Sequence, residues 1–300
     1  MSDERQTAFV AIVGRPNVGK SSLMNRLLGQ KVAIVSDKPQ TTRTRIMGVL
    51  TEGAVQTVFI DTPGLHRPRT RLGQNMVKAV ADGMADVEVC LLVVEGGAPV
   101  GPAERELIDR CKTRKLPAVL AVNKVDLVEN KEDLLGQIAA YAALFDFAAV
   151  VPVSALTGEG LDELMAELRP FAQPGEHFFD DDTLTDQPER VIAGELLREK
   201  LLRLLEREVP HGIAIAIERF RDREDGLLDI EATIYCEKSS HKGIIIGKGG
   251  ATLKKAASLA RADMEEFFDC RVNLQCWVKV REGWRNRAGI IHTLGLDGEN

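Results

Sequence analysis

Cysteine is sparse in this chain and follows no pattern. Cys90, Cys111, Cys236, Cys270 and Cys276 are spread over 300 residues, and no two have CxxC spacing. That argues against a disulfide framework and a cysteine-built zinc site, and for reduced thiols in a cytoplasmic protein. The start, MSDERQTAFV, is short and charged and lacks the apolar stretch of a secretion signal. No apolar run reaches the roughly 18 residues that crossing a bilayer requires, so no transmembrane segment is expected. Internal repeats and low-complexity tracts are also absent. A net charge of −6 argues against a wholly basic nucleic-acid coat but leaves room for a local basic patch.

What is present is an ordinary globular composition, 44% hydrophobic and 28% charged, in a chain long enough for about two domains. Up to about residue 170, short apolar runs (TAFVAIVG, AVQTVFIDTPG, VEVCLLVVEGG, PAVLAVNKVD, AAVVPVSA) alternate with helical stretches such as PAERELIDRCKTRK. That alternation predicts βαβ units, hence an α/β domain with a mostly parallel sheet and helices on both faces. RIMGVLTEGAVQTVFI reads as two strands turning at Glu52-Gly53, one of them antiparallel. The domains expected are 1–172 and 189–300, joined by a linker, 173–188, with two prolines and an acidic cluster. Beyond it, a long amphipathic helix (ERVIAGELLREKLLRLLEREV), a hairpin around RDREDG, two helices and a last strand give the order α-β-β-α-α-β of a smaller α+β domain.

Two glycine-lysine loops carry the chemistry. GRPNVGKS has GxxxxGK[ST] spacing, with Gly14, Gly19, Lys20 and Ser21 in register between a predicted strand and a predicted helix. Glycines let backbone N–H groups point at phosphate oxygens, and the helix beginning near Lys20 adds its positive end. Lys20 would neutralise the β- and γ-phosphates, and the Ser21 hydroxyl would bind Mg²⁺. Arg15, Pro16, Asn17, Val18 and Ser22 complete the expected nucleotide-binding loop. NKVD, with Asn123, Lys124, Val125 and Asp126, ends a later strand. The Asp126 carboxylate can accept from guanine N1–H and the 2-amino group, which adenine lacks, so the triphosphate expected is GTP. SAL, with Ser154, Ala155 and Leu156, would offer the Ala155 N–H to guanine O6. DTPG supplies Asp61, Thr62, Pro63 and Gly64: Asp61 for Mg²⁺ and the Gly64 N–H for the γ-phosphate. QTTR supplies a threonine for the metal; Thr42 is favoured, with Thr41 the alternative.

The second loop, IIGKGG, lacks the GK[ST] of a phosphate loop. It fits I-G-x-x-G, with Gly247, Lys248, Gly249 and Gly250 between two helices, the loop by which KH domains clamp a single-stranded nucleic-acid backbone. From Lys238 to Ala262 there are six basic residues (Lys238, Lys242, Lys248, Lys254, Lys255 and Arg261) and no acidic one. That is a local electrostatic footprint for RNA. Ile244, Ile245 and Ile246 would form a floor for bases, and the domain order is that of a type II KH domain.

The five nucleotide motifs, in this order, resemble the Ras-like GTPase superfamily, in its bacterial translation-factor-related branch. Where Ras carries a water-orienting glutamine after DxxG, this chain has Leu65, so slow intrinsic hydrolysis is expected. His66 beside it reads as an exposed loop residue rather than a base. The hydrolytic set expected is Lys20, Asp61, Gly64 and Asn17, with Asn17 helping to hold a K⁺ ion. GRPNVGKSSLMNRLLG, QTTRTR, DTPGLH, AVNKVD, VSALTG, EHFFDDDTLTDQPER, IIGKGG and WVKVREGW extend the resemblance over essentially the whole chain, to bacterial GTPases that end in a KH domain. Asp180 stands where that pattern has proline. The resemblance implies a GTP/GDP switch that binds the 3′ end of 16S rRNA and assists assembly and maturation of the 30S ribosomal subunit. It also implies a cytoplasmic protein able to touch the inner membrane peripherally.

Overall fold

The computed structural model describes residues 4–65, 68 and 70–297. Contacts group them into two compact units: the described residues of 1–33, 42–67 and 76–186, and those of 34–41, 68–75 and 187–300. Among the described residues no helix is long and apolar enough to cross a membrane.

The first unit runs β1 (Gln6–Val13), α1 (Lys20–Leu28), β2 (Ile46–Glu52), β3 (Val55–Asp61), the later part of α2 (Arg71–Gly83), β4 (Val89–Glu95), α3 (Pro102–Arg114), β5 (Ala118–Asn123), α4 (Lys131–Ala142), β6 (Ala149–Pro152), α5 (Leu161–Leu168) and β7 (Gln173–Pro174). The main sheet has the order β2-β3-β1-β4-β5-β6, with β7 antiparallel on the start of β1. β2 and β3 pair antiparallel across the Glu52-Gly53 turn, and the other main-sheet pairs are parallel. The unbroken apolar runs follow from burial on both faces. On β1 and β4, Val10, Ile12, Val89, Leu91 and Val93 enter the core shared with α1 and α5. Their neighbours Ala11, Val13, Cys90, Leu92 and Val94 enter the core shared with α3 and Tyr141 of α4. Both faces of these strands are then removed from water, and the parallel strands end together on the edge that carries the loops.

Most of the stretch expected to be a linker is built into this unit. The fully buried Gln56 accepts the N–H groups of Phe178 and Phe179 at 2.9 and 3.1 Å and donates to the Phe179 carbonyl at 3.0 Å. Phe178 sets its ring edge-on to Phe9, and the Thr185 hydroxyl donates to the Met47 carbonyl at 2.6 Å. Its polar composition is real, but backbone bonds to a buried amide order it all the same.

The second unit runs α6 (Glu189–Leu204), β8 (Ala214–Asp222), β9 (Leu227–Cys236), α7 (Ser239–Ile246), α8 (Ala251–Phe268), β10 (Arg271–Val280) and α9 (Ala288–Thr293). The sheet order is β10-β9-β8, with β9 parallel to β10 and antiparallel to β8. Leu228, Ile230, Ala232, Ile234 and Cys236 of β9 share one core with Leu197, Leu201, Ala256, Ala260 and Met264 of the helices. Trp284, fully buried, donates its indole N–H to the Gly212 carbonyl at 2.9 Å.

Helix α6 departs from expectation twice. It stops at Leu204 rather than running to Val209: Leu205 turns to extended backbone (φ −100°, ψ 151°), and the positive φ of 56° at Arg207 keeps the helix from resuming. It is also buried nearly all round, including Arg198, Glu199 and Lys200. Residues 34–41, which belong to the same unit, cover its polar side. Glu199 accepts the Val35 N–H at 3.0 Å, Arg203 donates to the Val35 carbonyl at 3.0 Å, and Arg198 donates to the Thr41 carbonyl.

Candidate functional site

Gly14–Gly19 links the end of β1 to α1, whose first residue is Lys20. Lys20 is buried, and its Nζ donates to the carbonyls of Gly14 (3.3 Å) and Arg15 (2.9 Å). Beside it, Ser21 Oγ donates to Asp61 Oδ2 at 2.5 Å and lies 3.0 Å from Thr42 Oγ1. Asp61 is fully buried, and its Oδ1 has no hydrogen-bond partner among the described residues. Burial pushes its carboxyl up to about 6, against the Lys20 charge and the hydroxyls of Ser21 and Thr42. Three hard oxygen donors and an orphaned carboxylate oxygen thus converge at the start of a helix, a donor set that suits Mg²⁺. The Thr41 hydroxyl is used elsewhere, donating to the Lys38 carbonyl at 2.6 Å and meeting Ser36 Oγ at 2.8 Å.

Gly64 follows DTP at close quarters. A Cβ there would sit 2.5 Å from the backbone nitrogen of Pro16, so only glycine lets this strand end approach the phosphate loop so closely. Thr62 is buried and donates to the Ile12 carbonyl at 2.9 Å, and Pro63 is buried too. Leu65 is 5% exposed and packs among Ala11, Val13, Val80 and Met84. An apolar side chain turned into the core cannot orient water. His66 lies outside the described residues.

On the base side, Asn123 is buried and bridges two loops. Its Nδ2 donates to the Val18 carbonyl at 2.8 Å, and its Oδ1 accepts the Ala155 N–H at 3.0 Å. The Ala155 N–H, expected to serve the base, therefore belongs to this brace here. Asp126 is exposed, and its Oδ1 accepts from the fully buried Ser154 hydroxyl at 2.6 Å. Lys124 takes a positive φ of 64° and pairs with Glu95 at 3.2 Å. Val125 donates its N–H to the Val153 carbonyl, and Leu156 is 79% exposed. Asn17, exposed at the crest of the phosphate loop, has φ 66°, and Ser22 continues α1.

In the second unit, Gly247–Gly250 joins α7 to α8. Gly247 has φ 74°, and a Cβ would meet Thr252 Oγ1 at 2.3 Å, so the loop admits no side chain there. Lys238, Lys242, Lys248, Lys254, Lys255 and Arg261 are all exposed. Of the three isoleucines expected as a floor, Ile245 is fully buried, Ile246 is half-buried, and Ile244, 51% exposed, faces solvent. The helix period, which puts adjacent residues on different faces, makes that division.

Two contributors were not foreseen, Glu95 on Lys124 and Glu104, which ion-pairs with Arg15 from α3; Ser154 was expected at the base, but not its bond to Asp126. Glu104 resembles an ordinary first-turn acid of a helix in sequence, and nothing local marks its long-range partner.

Residues 9–124 match the family model described as a 50S ribosome-binding GTPase, and residues 208–285 match the KH domain. With the sheet and loops above, this defines a P-loop GTPase joined to a KH domain. GTPase Era of Ruminiclostridium cellulolyticum is 48% identical over 290 residues, 97% of each chain, and GTPase Era of Clostridioides difficile is 46% identical over 293, covering 97% of this chain and 99% of that one. Among solved structures, a variant of Aquifex aeolicus Era bound to GDP·AlF4⁻ is 35% identical with a TM-score of 0.93 and covers 97% of this chain and 99% of its own. An Era complex with MgGDPNP and nucleotides 1506–1542 of 16S ribosomal RNA has the same identity and coverage and a TM-score of 0.94. The chain belongs to the Era family of GTPases.

Burial lowers the Lys20 pKa from 10.5 to about 8, against the pull of Asp61. The unfolded chain then holds more protons between pH 8 and 10.5, so the Lys20 contribution to stability of the nucleotide-free protein rises with pH over that window. The gain is about 3 kcal/mol. In urea unfolding, wild type should gain on Lys20→Met by that amount as pH is raised from 8 towards 10.5. A pH-independent difference would show that the ammonium is not desolvated.

Proposed function

We propose that this GTPase couples GTP hydrolysis at the first glycine loop to single-stranded RNA binding at the second. Its RNA is the 3′ end of 16S rRNA, and its task is assembly and maturation of the 30S subunit. The observation that carries the enzymatic half is the convergence of Ser21, Thr42 and Asp61 beside the buried Lys20. In this reading those three oxygens hold Mg²⁺, which supplies positive charge to the β- and γ-phosphates. Lys20 exchanges its two loop carbonyls for phosphate oxygens. The backbone of residues 14–19 turns its N–H groups to the phosphates, and the Gly64 N–H meets the γ-phosphate. Asp126, oriented by Ser154, accepts from guanine, and the Lys124 stem covers the ring.

The RNA half rests on the acid-free basic window, on the crowded Gly247 and on the relative solved with a 16S fragment. Gly247, Lys248, Gly249 and Gly250 clamp the backbone, while Lys242, Lys254 and Lys255 neutralise phosphates. A cytoplasmic location fits the five free thiols. Peripheral contact with the inner membrane is the remaining expectation, and sedimentation with 30S particles against anionic vesicles weighs the two: recovery with vesicles alone would contradict the ribosomal task.

With Leu65 turned into the core, transition-state charge needs another source. A K⁺ ion held partly by Asn17 would act where other GTPases use an arginine finger, worth about 10³–10⁵ in rate. Hydrolysis should run faster in KCl than in NaCl at matched ionic strength, and Asn17→Ala should erase the difference. Equal rates in the two salts would dismiss the ion.

The coupling is tested by replacing Lys248 and Gly249 together with aspartate. Two negative charges at the clamp should abolish binding of a single-stranded 16S 3′-end oligonucleotide, because phosphate contacts dominate such affinity. Basal GTP hydrolysis should persist, and any RNA-stimulated increment should vanish. Filter binding beside phosphate release reads both. Undiminished RNA binding would refute the KH half, and loss of basal hydrolysis would show that the two sites are not separable.

A further inference from the structure

The phosphate loop has two ends, and a buried polar side chain grips each. Asn123 holds the Val18 end through its carbonyl. At the other end the Arg15 side chain leaves the loop and reaches the first turn of α3, where its Nε pairs with Glu104 Oε1. Glu104 is fully buried, and its second oxygen, Oε2, accepts the Gly101 N–H at 3.0 Å.

A capping acid needs only one oxygen and is ordinarily left in water. This one is wholly buried, where an ionised carboxylate is costly unless a charge partner and hydrogen bonds satisfy it. Arg15 is the partner, itself 34% exposed on its side chain. The buried phenol of Tyr141 on α4 lies in the same field. Its pKa is raised by burial first and by the Glu104 charge second, with Arg15 and Arg105 opposing. The geometry of the loop depends on this pair in a second way: the Arg15 carbonyl is the nearer of the two acceptors that hold Lys20.

We propose that Glu104 is a positioning residue of the GTPase site, fixing the phosphate loop to α3 through the Arg15 guanidinium. It touches neither nucleotide nor metal. The proposal rests on the nucleotide-site reading above and adds a residue to it. Arg15 acts on the nucleotide through its backbone, and its side chain is committed to the protein. The loop is therefore presented to phosphates already shaped, and little ordering is left to be done on binding.

The test is titration of a methylanthraniloyl-GDP probe with Mg²⁺ against wild type, Arg15→Gln, Glu104→Gln, the double variant and Arg15→Lys, each also followed by thermal unfolding. Gln at 104 keeps an oxygen for Gly101 and removes only the charge. Each single Gln variant should weaken probe binding roughly ten- to a hundredfold, because removing one member of a buried ion pair strands the other. The double variant should be no worse than the weaker single, and Arg15→Lys should recover part of the loss. Probe affinity unchanged in Glu104→Gln, with or without a lower melting temperature, would reduce Glu104 to a helix cap and overturn the proposal. Losses that add in the double variant would mean that Arg15 touches the nucleotide independently, which also overturns it. If Glu104→Gln does not fold, Arg15→Lys against Arg15→Gln decides, since equal affinities refute a charge-dependent tether. Wild type that fails to bind the probe would instead bring down the nucleotide-site reading itself.

Discussion

The nucleotide site hangs on one buried amide. Asn123 ends β5 with 1% of its surface exposed, and both ends of its side chain are used: one on the Val18 carbonyl of the phosphate loop, the other on the Ala155 N–H. Neither loop could stay where it is if that amide were lost, because a backbone carbonyl and a backbone N–H would be left unpaired together. The two-faced sheet exists, in this sense, to hold the end of β5 still. Alternate residues of β1 and β4 are committed to opposite cores, so the strands cannot slip without exposing an entire face. The Ser154 hydroxyl, in the same stretch as Ala155, orients Asp126, so the group proposed to read the base is carried by the same brace.

The second unit solves a different problem with related means. Its glycine loop, the second in the chain, contains three glycines at positive φ, and one of them, Gly247, is also too crowded for any side chain. The scaffold beneath is a three-stranded sheet under helices, and charge is buried within it. Glu199 has no exposed surface and accepts from Val35, Lys200 and Arg203, while Lys200 also pairs with Asp263 of α8. Charges at such a depth are tolerable only as a satisfied network, and removing one member strands the others. Residues 34–41 are thereby held to α6, with Arg198 also bonded to the Thr41 carbonyl.

Much of this is legible in the residues because it is local. Apolar runs bounded by glycine and proline mark the strands, and the two glycine loops are told apart by GK[ST] in the first and by the acid-free basic window around the second. The parts that are not legible are pairings across long stretches of chain. Arg15 and Glu104 come from the phosphate loop and from α3, and they form an ion pair that neither neighbourhood signals. Helix α6 reads as amphipathic from its own sequence, and only the arrival of residues 34–41 makes its polar side an interior. The stretch after Gln173 reads as a linker because it is polar, while the side chain that orders it, Gln56, sits on β3 and looks ordinary in an apolar strand. The SAL motif marks the Ala155 N–H but not its acceptor, which here is Asn123 Oδ1.

Whether Asp126 reads guanine is the question that most directly decides between a GTP-selective switch and a nonselective nucleotide fold. Replacing it with asparagine keeps the size and turns an acceptor into a donor, suited to the 2-oxo group of xanthine where guanine has an amine. Turnover of GTP and xanthosine triphosphate by wild type and Asp126→Asn, measured with Mg²⁺ in the same buffer, should show the preference reversing. A site built to bond a polar edge can reject its counterpart by about 10⁴–10⁵, so even a partial reversal is readily measured. Equal loss of both substrates would mean that Asp126 supports the loop and that the base is read by something else.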